Sequence, residues 1–142
     1  MQAQDYATLI GRCWMNFNSL ELIMRTYLAT QGQPMGLSGK VGESFPINTF
    51  TNYDTFREIA RKVNAKSGEQ YDFSRIIAYR DAMAHGRVFS ADDNFPLTVV
   101  KFSKPIGGAV KVEYSQLLSE TFLLDMSKEI VKVLTTIHAL IP

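Results

Sequence analysis

Apolar positions in the first thirty residues fall on a helical beat. Tyr6, Ile10, Cys13, Phe17, Leu20, Met24 and Tyr27 step by four and three. That spacing lays them on one stripe of a helix predicted from about Gln4 to Thr30. Leu9, Trp14 and Leu28 widen the stripe. A long helix with so broad an apolar face calls for other helices, or a second copy of the chain, to cover it. The segment TQGQPMGLSGKVGESFP over 30–46 then has four glycines, two prolines and no period, so it reads as a connecting loop. Its glycines follow no strand and lack the GK[ST] or GxGxxG spacing of a phosphate cradle.

A second helix is predicted from about Tyr53 to Ala65, with Phe56, Ile59, Ala60 and Val63 inside and Arg57, Arg61, Lys62 and Lys66 outside. SGEQ over 67–70 has the form of a capping box, Ser67 as N-cap and Gln70 reaching back. That opens a third helix over roughly Glu69 to Ala84, with Phe73, Ile76, Ile77 and Met83 apolar. Gly86 is placed to end it in a left-handed conformation. The period then changes: LTVVKFS (97–103) and AVKVEYS (109–115) are rich in β-formers, and KPIGG between them can turn the chain into an antiparallel hairpin. From Ser115, a good N-cap, Leu118, Phe122, Met126, Ile130, Val133, Ile137 and Leu140 restore the helical step. The expectation is a mainly α fold: a bundle of four to five helices with a small antiparallel β-hairpin before the last helix, forming one domain over 1–142.

Composition narrows the classes without choosing among them. Apolar residues make up 46% and charged residues 20%, an ordinary globular balance that argues against disorder. The formal net charge of +1 does not announce a nucleic-acid binder. Cys13 is alone, which excludes an intramolecular disulfide and a multi-cysteine zinc site. His85 and His138 are the two histidines and have no HExxH spacing, so neither metal nor other cofactor is expected. His138 reads as a charge placed against the dipole of the last helix. No serine or cysteine has an adjacent base in a nucleophile motif. Without a basic start leading into an apolar run, and without a stretch of about 20 apolar residues, a cytoplasmic protein without a membrane partner is expected.

YRDAMAHGRVF, residues 79–89, carries the candidate chemistry. An imidazole titrates near neutrality and can take or give a proton. A guanidinium stays charged and offers a rigid fork of donors to phosphate oxygens. Arg80 and His85 together would supply a proton shuttle and a clamp for a phosphoryl centre gaining negative charge. Five steps on an ideal helix leave the two side chains about 140° apart, so sharing a pocket requires a loosened last turn. The bland alternative makes His85 a C-terminal cap, Arg80 a surface ion-pair residue and Asp81 a solvated acid. Glu21 is a further candidate, meeting Arg80 across the helices or pairing with Arg25 at i+4. Over 57–87 the chain has seven basic residues against four acids, a surplus of three beside the motif. Arg57, Arg61, Lys62 and Arg87 are therefore candidate RNA-backbone contacts, although any solvated helix face carries such residues.

RDAMAHG resembles the signature of the HEPN superfamily: an arginine, a polar neighbour, then a histidine four to six residues on. The expected architecture agrees, with a long first helix, the signature late in a later helix, and a closing helix. FNSLELIMRTYL (17–28) also resembles first helices of that superfamily. The motif itself covers only Arg80, Asp81 and His85. The resemblance implies a metal-independent endoribonuclease in which two protomers bring two motifs to one cleft. The 2′-hydroxyl of RNA would attack the adjacent phosphate, leaving a 2′,3′-cyclic phosphate and a 5′-hydroxyl. His85 would transfer the proton, Arg80 would clamp the phosphate and Asp81 would orient one of them. Many such enzymes are toxins or phage-defence effectors, which implies an antitoxin or other regulatory protein as partner. Other members have lost catalysis and bind protein or nucleotide, which is the alternative reading.

Overall fold

The computed structural model describes residues 2–29, 40–45, 47–90 and 96–142. Four helices and three strands occur among them: α1 (Ala3–Leu28), α2 (Phe56–Ser67), α3 (Ser74–His85), β1 (Arg87–Phe89), β2 (Thr98–Phe102), β3 (Val112–Leu117) and α4 (Glu120–His138). The fold is mainly α, with a small antiparallel sheet before the last helix, as the periodicity predicts. Most of the glycine-rich loop, and Thr30 at the predicted end of α1, lie outside the described residues. Two compact units emerge, the described residues of Met1–Phe17 with Asp72–Ile130, and those of Asn18–Tyr71 with Val131–Pro142.

The first unit contains the motif. Tyr6, Cys13 and Phe17 from α1, Ile76, Tyr79 and Ala82 from α3, Val99 and Val100 from β2, and Leu123, Met126 and Ile130 from α4 are among its buried residues. Removing such side chains from water is the main favourable term in folding. The Tyr6 hydroxyl donates to the Leu118 carbonyl and accepts from the Leu97 amide at 3.0 Å. Leu118 in turn donates to the Leu97 carbonyl at 2.8 Å. One buried phenol thus completes the ladder where β2 begins and β3 ends. Burial pushes the Tyr6 phenol above its ordinary pKa.

The sheet runs β1-β2-β3, both pairings antiparallel. A three-stranded sheet replaces the predicted two-stranded hairpin because β1 follows α3 directly; three residues are too few to display a period. Ile106 and Ala109 bridge across a turn whose central residues, Gly107 at φ 60° and Gly108 at φ 75°, both need the left-handed region. Ser115 is not the N-cap of the last helix. It lies in β3 opposite Val100, and the pairing continues to Leu117 against Thr98. Ser119 caps α4, its hydroxyl accepting from the Phe122 amide at 3.1 Å.

In the second unit the inner face of α2 is buried as expected, through Phe56, Ile59, Ala60 and Val63. Helix α2 opens on a capping box of Thr55 with Glu58: Thr55 Oγ1 accepts from the Glu58 amide, and the Glu58 carboxylate accepts from the Thr55 amide at 2.7 Å. The SGEQ segment predicted to cap the third helix opens no helix, α3 starting after Phe73 with no side-chain cap. Ser67 is the last residue of α2, and Gly68 ends the helix at φ 73°. The Asn64 side chain clamps Tyr71, donating to its carbonyl at 3.0 Å and accepting from its amide at 3.1 Å. That clamp fixes the link after α2, and α3 starts at Ser74 and not near Glu69. Arg25 ties the 49–54 turn to α1, donating to the Thr49 carbonyl at 2.8 Å, Asn52 Oδ1 at 2.9 Å and the Asp54 carbonyl at 3.0 Å.

Candidate functional site

Helix α3 stays α-helical through His85, and the Gly86 amide closes the last turn on the Ala82 carbonyl at 2.7 Å. The last turn is therefore not loosened. Gly86 itself is not left-handed but extended, at φ −85° and ψ −166°, because the chain leaves the helix straight into β1. Glycine is needed there for space: a Cβ would stand 2.4 Å from the Ala82 carbonyl oxygen and 2.6 Å from that of Val100. The close approach brings β2 against the helix end.

With the helix intact, His85 shares a face with Asp81 at i−4 and not with Arg80. Its Nε2 lies 3.8 Å from Asp81 Oδ1, beyond hydrogen-bonding reach, and its side chain is 64% exposed. The other oxygen of Asp81, Oδ2, accepts from Lys101 Nζ at 2.5 Å. Lys101 also lies 3.9 Å from Glu113 Oε2 on the neighbouring strand. The Lys101 hydrogen bond, only partly opposed by burial, holds the Asp81 carboxyl below its ordinary pKa; the charges of His85 and Arg80 act in the same direction. Imidazole, carboxylate and ammonium therefore meet where α3 hands over to the sheet. The C-terminal end of the helix dipole also favours positive charge there.

Arg80 faces elsewhere. Its guanidinium carbon lies 5.7 Å from the centroid of the Phe17 ring, a cation–π contact. Its Nε is buried and has no hydrogen-bond partner among the described residues. An unsatisfied donor on a fixed charge is costly, of the order of 1–3 kcal/mol. The arrangement does not bring Arg80 and His85 together within one chain.

The remaining sequence candidates separate. Arg87 is exposed at the start of β1 and donates to the Gly86 carbonyl at 3.4 Å. Arg57, Arg61, Lys62 and Glu21 belong to the second unit. Arg57 and Arg61 are exposed on α2. Lys62 is held by Asp54 at 2.5 Å, which in turn keeps the Asp54 carboxyl below its ordinary pKa. Glu21 takes the second of its two readings, accepting from Arg25 at 3.1 and 3.2 Å. Lys101 and Glu113 were not among the sequence candidates. The only local sign of Lys101 is a charge inside the apolar run TVVKF, and its partner Asp81 is 20 residues away.

Among the described residues no three His, Cys, Asp or Glu side chains gather as a metal site. No described helix is long and apolar enough to cross a membrane. No family model, curated protein or solved structure matches the chain.

Proposed function

We propose that this protein is a metal-independent endoribonuclease that works as a homodimer, with His85 as proton-transfer residue and Arg80 as phosphate clamp. The observation that carries the proposal is the end of α3. It presents an exposed imidazole beside a carboxylate, five residues from a guanidinium whose buried Nε has no partner among the described residues. His85 would accept the 2′-hydroxyl proton, and Arg80 would meet the charge that grows on the phosphate. The two side chains leave the helix in directions about 140° apart, which supports a composite cleft in which Arg80 of one protomer would face the partner's His85. The exposed Arg57, Arg61 and Arg87, with Lys62, would contribute backbone attraction. A toxin or phage-defence role, restrained by an antitoxin-like protein in the cytoplasm, follows from the same reading.

Purified protein is expected to cut single-stranded RNA in EDTA and leave 2′,3′-cyclic phosphate ends. No cutting under any ionic condition would sink the proposal. The packing of Arg80 on Phe17, away from His85, favours a second reading: a non-catalytic module that binds protein or nucleotide. On that reading RNA is left intact, and His85→Ala alters only binding or stability.

A further inference from the structure

We propose that Lys101 is a positioning residue for His85, acting through Asp81, an inference that rests on reading His85 as the proton-transfer group. Lys101 stands in the central strand of the sheet, beside the buried Val99 and Val100 and opposite Tyr114. Its side chain is only 29% exposed. Charge at such a place is unfavourable unless it is paired, and the strand neighbour Glu113 is a distant 3.9 Å. The ammonium reaches instead to the helix, 2.5 Å from Asp81 Oδ2.

The consequence falls on the other oxygen. With Oδ2 held by Lys101, Oδ1 is turned toward His85 but stops at 3.8 Å. The imidazole has a carboxylate beside it that is not hydrogen-bonded to it. Loss of the ammonium frees the carboxylate to close on the ring and to favour its charged form. The charged groups on the elements meeting at this helix end are Asp81 and Arg80 on α3, Arg87 on β1, Lys101 on β2 and Glu113 on β3. Of these, Asp81 has ion-pair contacts to both bases, His85 and Lys101.

The test is proton NMR titration of His85 in the full chain, with His138 as internal reference. In Lys101→Met the His85 curve is expected to move to higher pH by roughly half a unit, about threefold in proton affinity. Lys101→Arg should stay with the parent, and Lys101→Gln, run beside Lys101→Met, should follow it. In an Asp81→Asn background the same Lys101 substitutions should lose most of their effect. An unmoved curve, or an equal shift with and without Asp81, overturns the proposal. RNA cleavage is a separate readout. A wild type that leaves RNA intact while showing the Asp81-dependent shift defeats the ribonuclease reading alone. A wild type that cuts RNA while showing no shift defeats the role of Lys101 alone.

Discussion

Asp81 gives one carboxylate oxygen to Lys101 at 2.5 Å and turns the other toward His85 at 3.8 Å, so a single acid on α3 answers to two bases. The stronger of the two contacts joins α3 to β2, and it sets how the weaker one is presented.

That relationship has a signature in stability. The Asp81 carboxyl is held below its ordinary pKa, chiefly by Lys101. A depressed acid stabilises the folded state above the unfolded value near 4, and the contribution disappears as pH falls through the lower folded value. Asp81→Asn should therefore lower the unfolding free energy measured in urea at pH 7, by no more than about 1 kcal/mol since the pair is partly solvated. The difference from wild type should shrink as pH is taken from about 5 toward 2. A gap of constant size across that range would show that the pair is not the source.

Gly86 and Gly11 should respond in opposite ways to the same substitution. Gly86→Ala drives a methyl group into two backbone carbonyls, at 2.4 and 2.6 Å, neither of which can rotate away. The expected loss is about 1–3 kcal/mol or more, with His85 displaced as the strand moves off. Gly11 lies exposed within α1, and a Cβ there meets nothing within 4 Å. Gly11→Ala should stabilise by about 0.5–1 kcal/mol through helix propensity. Denaturant unfolding of both variants checks the pair.

These two glycines show where sequence reading succeeds and where it stops. The stripe from Tyr6 to Met24 and the inner face of α2 were legible because burial of a helix face repeats along the chain. The end of α3 at Gly86 was legible too, but not its reason. A left-handed cap is a local property, whereas the approach of the Val100 carbonyl depends on a strand fourteen residues downstream. Ser67 and Ser115 failed as caps for a related reason: each has the right chemistry, and pairing elsewhere decided which serine or threonine was used. Arg80, Asp81 and His85 were visible as a motif. That Asp81 answers to Lys101, and that Arg80 packs on Phe17, are long-range facts with no local pattern.

Tyr6→Phe isolates one hydroxyl. Without it the Leu118 carbonyl loses a donor and the Leu97 amide an acceptor, both at the point where the outer ends of β2 and β3 join α1. A shape-conserving change that strands a buried acceptor and a part-buried donor costs about 1–3 kcal/mol. Hydrogen exchange at the Leu97 amide should accelerate more than at Val99 or Val100 in the middle of β2. Uniform acceleration across the strand would mean global destabilisation only.

The proposed composite cleft makes the sharpest prediction about activity. Arg80→Ala and His85→Ala should each reduce RNA cleavage at least about a hundredfold, as expected when a transition-state contact or a proton-transfer group is removed. Neither is expected to unfold the protein, since His85 is exposed and Arg80 leaves a donor unpaired. The two inactive proteins, unfolded together and refolded as a mixture, should then recover activity. A mixed dimer has one site lacking both groups and one site with both, since the intact Arg80 faces the partner's intact His85. Half of the dimers are mixed and each has one working site, so recovery should approach about a quarter of the wild-type rate. If both groups acted within one chain, every site in the mixture would lack one of them and no activity would return. Recovery therefore discriminates between a cleft built across two copies and one built on a single α3, which the 140° separation already disfavours.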